Sequence, residues 1–278
     1  MRARACLALV VAWGLGCSPT VATSVGPQGE PRTDPIIDEA AAPADDAAGS
    51  DAAPSVEGPA DEAAPAAGVA PPSSVDLEIN RRYEEQTDPQ QWAGRFEREG
   101  REVYDRLDAI IAELSLRPGM DVADVGAGTG MLTLALANAV GPEGTVHAVD
   151  VQPYFLDHVG QKARKAGLSN VELVRATQES VGLPPASIDL AIMVDAYHHV
   201  EKPAAYLASL RAALRPEGRL VIIDYRAVEG ESDAWMLEHV RASPEEFRAE
   251  LEGAGFTMLS THEGVLEENF FFELQRRP

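Results

Sequence analysis

Residues 121 to 140 read as a strand, a glycine turn and a helix with no spacer between them. Asp121 to Val125 is short and mostly apolar, Gly126-Ala127-Gly128-Thr129-Gly130 follows directly, and Met131 to Val140 is an apolar helical run closed by Gly141-Pro142. A chain that turns this tightly from strand to helix lays the helix back across a sheet, so the next strand runs parallel to the first. The pattern repeats downstream. Thr145 to Asp150 is a strand, a helix runs from Pro153 to near Gly167, Val171 to Val174 and the fully apolar Ile188 to Val194 are strands, Pro203 to Leu214 is a helix, and Arg219 to Tyr225 is a strand. Upstream, Asp88-Pro89 opens a helical spacing carried by Trp92, Phe96, Val103, Leu107, Ile110, Ile111 and Leu114 until Pro118-Gly119 stops it. At the far end, Ser243-Pro244 opens a helix, and Phe256 to Ser260 and Phe270 to Leu274 are two last strands pairing as a hairpin-like unit. The expected fold is α/β: an open, doubly wound, mostly parallel seven-stranded sheet with helices on both faces.

The chain has 278 residues, but its first quarter does not join this pattern. From Ser18 to Val75 there are 15 Ala, 10 Pro, ten acidic residues, one Arg and no aromatic residue. Such a segment buries too little apolar surface to offset its ordering entropy. It is expected to be a disordered tether, leaving residues 76–278 as one domain, of which 76–118 are helices capping its N-terminal side. Before the tether, Arg2 and Arg4 precede a mostly apolar run, Ala5 to Gly16, that is too short to span a bilayer. It reads as an export leader. The only cysteines, Cys6 and Cys17, both lie there, so the domain is expected to have neither disulfides nor thiol chemistry. The net charge is −22, and residues 76–278 alone hold 35 acids against 20 bases. With no basic surface in prospect, nucleic acid is not an expected partner.

A strand ending in a glycine turn that opens a helix presents backbone N–H groups to a ligand at the carboxyl edge of the sheet. The glycines at 126, 128 and 130 do not fit the dinucleotide spacing G-x-G-x-x-G, whose last position is Met131, and no phosphate-loop Gly-Lys-Ser/Thr is present. Asp124, two residues before the turn, would repel a pyrophosphate and attract a ligand carrying ammonium and sulfonium groups.

These residues carry a resemblance. Val122-Ala-Asp-Val-Gly-Ala-Gly-Thr-Gly130 resembles the first motif of the class I S-adenosylmethionine-dependent methyltransferases, and Val146-His-Ala-Val-Asp150 resembles the acid that ends their second strand. The resemblance covers most of residues 88–278. It implies S-adenosyl-L-methionine as cofactor, with its methionine part against Gly126, Ala127, Gly128, Thr129 and Gly130, its amino end near Asp124, its ribose on Asp150 beside Val151, and adenine near Thr177 and Gln178. Asp195, in Val194-Asp-Ala-Tyr-His-His-Val200, falls where the family begins its substrate side and often touches the cofactor. Cys17, after Leu15-Gly16, similarly resembles the lipidated cysteine of bacterial lipoproteins. That likeness implies a membrane anchor on the periplasmic side of the envelope, with the outer membrane preferred because Ser18 rather than Asp follows; an ordinary signal peptide, or an uncleaved tail on a cytoplasmic protein, is the alternative.

Methyl transfer asks for alignment and, for many acceptors, removal of a proton. A histidine that titrates near neutrality can take it, so the candidate catalytic residues are His198 and His199 with Asp195 and Tyr197. The bland alternative is one packed ring and one solvated one. A metal at His198, His199 and Glu201 lacks a further ligand in the neighbouring sequence, so none is expected. Trp92, Phe96 and Arg101 before the first motif, and Arg226, Trp235, His239 and Arg241 after the fifth strand, are candidates for closing the pocket; among these, Trp92, Arg226, His239 and Arg241 are candidate substrate contacts. If the arginines converge, the substrate carries an anionic group. The expected activity is methyl transfer to a small molecule or a side chain. Two other readings stay open: an anchored binding module that kept the fold without the chemistry, and a carboxyl methyltransferase of the isoaspartyl type.

Overall fold

The computed structural model describes residues 78–278; the leader with Cys6 and Cys17, the tether to Val75 and its junction lie outside the described residues. In chain order the elements are α1 (Glu78–Glu85), α2 (Pro89–Phe96), α3 (Glu102–Asp105), α4 (Leu107–Glu113), β1 (Asp121–Val125), α5 (Met131–Val140), β2 (Thr145–Asp150), α6 (Pro153–Ala166), β3 (Val171–Arg175), β4 (Ile188–Val194), a single 3-10 turn Tyr197–His199, α7 (Pro203–Ala213), β5 (Leu214–Tyr225), α8 (Ala234–His239), α9 (Pro244–Gly253), β6 (Phe256–Thr261) and β7 (Asn269–Arg276). The seven strands form one sheet in the order β3-β2-β1-β4-β5-β7-β6. Only β7 runs against its neighbours, pairing antiparallel with both β5 and β6. The expected doubly wound sheet is the observed one.

Successive side chains of a strand point to opposite faces, and the core follows that alternation. Ala123, Ala191, Met193, Leu220 and Ile222 pack beneath α7 and α9 with Tyr206, Leu210, Phe247 and Leu251. Val122, Leu190, Ile192, Val221 and Ile223 pack on the other face with Ile110 of α4, Leu114 just after it, and Leu132 and Leu136 of α5. Strands this apolar throughout need cover on both sides.

Two parts depart from the expected pattern. The helical spacing from Asp88 to Leu114 is broken into three helices, with Gly100 at φ +83 between the first two. Asp88 caps α2 by accepting from Gln90 N, as its sequence position before Pro89 suggests. Strand β5 begins at Leu214 rather than Arg219, with a register irregularity opposite Ile188 and Leu190.

Candidate active site

The first turn, the end of β2, the residue after β4 and the end of β5 all lie at the carboxyl edge of the sheet, where the strand order reverses and ligands bind in open α/β folds. A cavity of about 620 Å³ opens there. Of the residues singled out in the sequence, Asp124, Gly126, Ala127, Gly128, Thr129, Asp150, Val151, Gln178, Asp195, His198, His199 and His239 line it, together with Trp92, Phe96, Arg101 and Trp235.

The glycine turn is shaped by backbone conformation. Gly126 has φ +81, and a Cβ there would stand 2.6 Å from Cβ of Ala196. Gly130, at φ +80, starts α5 and is pressed against Val159; it shapes the turn without lining the cavity. Asp150 accepts from Gly128 N (2.9 Å, Oδ2) and from Gln152 N (2.7 Å, Oδ1), so it clamps the turn and keeps lone pairs for a ligand. Asp124 accepts from Thr133 Oγ1 at 2.5 Å and is 2% exposed. Burial pushes Asp124 up to about 7 and Asp150 up to about 6. Two buried carboxylates beside a glycine turn suit a ligand with an ammonium group and a ribose diol.

Both groups are raised above their unfolded values, so the stability they contribute to the ligand-free protein is present below about pH 4 and lost as pH climbs through 6 to 7. A ligand ammonium needs Asp124 ionised. The affinity for S-adenosylhomocysteine is therefore expected to rise between about pH 5.5 and 7.5, by up to tenfold per unit while Asp124 is still protonated. Calorimetric titrations across that range check this. Asp124→Asn should flatten the rise, and a flat profile in the unsubstituted protein would refute the assignment.

Asp195 sits at φ +48, a conformation uncommon outside glycine. Its carboxylate pairs with Arg101 Nη2 (2.6 Å) and accepts from Asn269 Nδ2 of β7 (2.6 Å). Arg101 also donates to Phe96 O and lies 5.3 Å from the Phe96 ring centroid. Above the cavity, Tyr83 stacks on Trp92 at 4.6 Å and Trp92 on Phe96 at 5.5 Å, with Phe155 beside them. Trp92 is 2% exposed and its Nε1 donates to Gln86 O, so it walls the cavity and has no N–H left for a substrate.

Opposite the turn, three imidazoles meet. His198 Nδ1 lies 2.6 Å from Asp224 Oδ1, and its Nε2 lies 3.3 Å from Nε2 of His239. His199 Nδ1 lies 2.9 Å from Asn80 Oδ1, and its Nε2 lies 3.4 Å from the Tyr83 hydroxyl. Burial holds His199 well below the usual histidine range and lowers His239 to about 4, the neighbouring His198 adding to both. The third imidazole, which the neighbouring sequence lacks, comes from α8. Glu201 is not part of the group; it accepts from Asn80 Nδ2.

Four expectations are corrected. Tyr197 is fully buried away from the cavity, donating its hydroxyl to Glu250 and packing on Phe247. Arg241 binds the same Glu250 with both terminal nitrogens (2.7 and 2.9 Å) and lies over the Tyr197 ring, so it braces α9. Arg226 faces a separate depression of about 260 Å³ with Arg248 and His262. The arginines do not converge, and the anionic substrate they would imply loses its support. Thr177 is exposed and its Oγ1 accepts from Glu179 N and Ser180 N, closing a turn; only Gln178 reaches the cavity.

Asn80, Tyr83, Tyr225 and Asp224 were not singled out by the sequence. Asp224 had a signal: a carboxylate inside the apolar run Leu220-Val-Ile-Ile-Asp-Tyr225, fully buried, needs a partner there.

A sheet in this order, a glycine turn after its first strand and an acid ending its second define a class I S-adenosylmethionine-dependent methyltransferase. Comparison with known proteins agrees. The profile of the methyltransferase-domain family matches residues 116–269, and the chain belongs to that family, whose cofactor in this class is S-adenosylmethionine. A ubiquinone/menaquinone biosynthesis C-methyltransferase (UbiE) of Shewanella piezotolerans is 32% identical over 116 residues, covering 41% of this chain and 46% of that protein. The chain thus spans about half the length of the curated relatives it matches. A S-adenosylmethionine-dependent methyltransferase from Aquifex aeolicus superposes with a TM-score of 0.59 at 29% identity, over 67% of this chain and 98% of the other. The [4+2]-cyclase SpnF superposes with a TM-score of 0.61 at 17% identity, over 74% of this chain and 98% of the other, a likeness of fold alone.

Proposed function

We propose that the protein transfers a methyl group from S-adenosylmethionine to a small acceptor held on the imidazole side of the cavity. One observation carries this: a single cavity joins the glycine turn and Asp150 to His198, His199 and His239. When bound, the cofactor supplies an electrophilic methyl carbon. Gly126 to Thr129, Asp124 and Asp150 hold it and fix its direction, while Trp92, Phe96 and Tyr83 exclude water from above. The acceptor lies against His198 and His199; with burial holding His199 well below the usual histidine range, His198 is the candidate base, its ring kept in place by Asp224. Asp195 acts at one remove, because Arg101 and Asn269 already occupy its carboxylate. The aromatic walls, with Trp235 half exposed at the mouth, suit a flat acceptor that carries a hydroxyl.

The fold is shared with a cyclase, so fold by itself does not decide the chemistry. Support for catalysis over a retired binding module is the intact acceptor side. The test is calorimetric titration of the purified protein with S-adenosylhomocysteine, followed by transfer of labelled methyl to a panel of phenols and quinols. Micromolar binding with turnover on at least one hydroxylated aromatic is expected. No heat and no thermal shift at millimolar ligand would end this reading, and binding without turnover across the panel would favour the module.

The leader and tether extend the proposal. Their composition supports export and anchoring through Cys17, outside the inner membrane and away from the cytoplasmic source of the cofactor. Fatty-acid labelling that disappears in Cys17→Ala would support it; unlabelled protein recovered from the cytoplasm would not.

A further inference from the structure

Hydrogen-bond roles around the three imidazoles settle where their protons sit, because each outer partner has only one role to play. Asp224 only accepts, so His198 carries a proton on Nδ1. Asn80 donates its amide nitrogen to His199 O (3.0 Å) and to Glu201 (2.9 Å), which leaves its Oδ1 to accept from His199 Nδ1. Arg82 only donates, and its Nη2 lies 2.9 Å from His239 Nε2, so that nitrogen is a bare lone pair. In the neutral rings all three Nε2 atoms are therefore acceptors, that of His239 facing Arg82 and that of His199 facing the Tyr83 hydroxyl, and those of His198 and His239 stand 3.3 Å apart. One ring nitrogen from each of the three lies within 4.8 Å of the others. Three acceptor nitrogens drawn this close are a ready set of donors for a cation.

We infer that His198, His199 and His239 form a binding site for a divalent first-row transition metal ion of the zinc type, facing the acceptor side of the cavity. Two imidazole nitrogens at about 2.0–2.1 Å from a tetrahedral ion stand about 3.3–3.4 Å apart, the spacing already found between His198 and His239. Imidazole donors suit zinc and its neighbours in the first row. The support behind the ligands is in place: Asp224 behind His198 and Asn80 behind His199 hold the rings with Nε2 inward, as outer carboxylate and carbonyl partners do at histidine–metal sites. Three protein ligands leave a fourth position open to the cavity, the arrangement of a catalytic rather than a structural site. The ligand class that fits is a hydroxyl or phenol oxygen of the acceptor; the ion lowers the pKa of that hydroxyl and its proton leaves to solvent, so with the ion bound His198 and His199 serve as ligands in place of bases. Arg82, an exposed side chain on α1, occupies the His239 lone pair, and the Tyr83 hydroxyl faces that of His199; both have to give way when the ion binds.

This inference rests on the proposed role of the cavity, and its test separates the two. The full-length protein, stripped with a chelator, is titrated with cobalt(II) as a spectroscopic probe and then with zinc(II) in competition; S-adenosylhomocysteine binding is measured on the same samples. One equivalent of cobalt with visible ligand-field bands, displaced by zinc, is expected. His239→Ala should weaken binding by at least about tenfold, and Asp224→Asn by about 10–100-fold through loss of the ring's outer partner. Arg82→Ala should tighten it, since a competing cation is removed. S-adenosylhomocysteine affinity should hold in His239→Ala and Arg82→Ala, which also shows that these variants fold. Absence of cobalt binding below about 100 μM, or binding indifferent to His239→Ala and placed by that result on other histidines, overturns the metal site. If S-adenosylhomocysteine also fails to bind the unsubstituted protein, the reading of the cavity falls as well.

Discussion

Replacing Asp150 by alanine is expected to weaken S-adenosylhomocysteine binding by about 10²–10⁴-fold. Hydrogen bonds to a charged group are worth about 1.5–3 kcal/mol each, and a ribose offers two hydroxyls to this carboxylate. The same carboxylate holds Gly128 N and Gln152 N, so the alanine variant also slackens the turn on which the rest of the ligand rests. Asp150→Asn keeps an acceptor for one backbone N–H and should lose less. Titration calorimetry with unchanged circular dichroism reads the difference. A Kd within tenfold of the unsubstituted protein would remove Asp150 from the ribose site.

Gly126→Val is expected to cost about 2–4 kcal/mol of stability. A β-branched residue at φ +81 pays about 1–2 kcal/mol for the left-handed conformation, and its Cβ meets Ala196 at 2.6 Å, an overlap that tight interiors relieve only by shifting backbone. For a domain of this size that corresponds to a fall in melting temperature of roughly 5–15 °C. Gly126→Ala should lie between. Because Ala196 follows Asp195, any relief displaces the acceptor side of the cavity, so ligand affinity should fall even at temperatures where the fold survives. A variant that melts with the unsubstituted protein would show that Ala196 yields freely.

The order of strands and helices was legible because it rests on local signals: apolar runs of strand length, Pro at helix starts, glycine where the chain reverses its helical spacing. The cofactor half of the site was legible for the same reason, since Asp124, the turn and Asp150 lie within 27 residues on adjacent strands. The acceptor half was not. His198 and His239 are 41 residues apart and meet only because β5 lies beside β4 and α8 folds back over its end. Helix α1, eight residues rich in charge, has no apolar period long enough to announce itself, yet it delivers Asn80 and Tyr83 to the imidazoles. Tyr197 and Arg241 failed as site residues for a related reason: neighbours in sequence to functional groups, they alternate to the opposite side and are consumed by Glu250.

The position of β7 has a consequence for assembly. It is the last strand in sequence but sits inside the sheet, between β5 and β6. While a ribosome is still adding residues 269–276, β5 has an open edge and β6 has nothing to pair with. The same strand carries Asn269, which holds Asp195 in its left-handed conformation from the other side of Arg101. A nascent chain can therefore form the half of the sheet that grips the cofactor well before it can form the half that orients the acceptor. The pairing of β5 with β6 through β7, and the hold on Asp195, are thus completed only once residues 269–276 have been added.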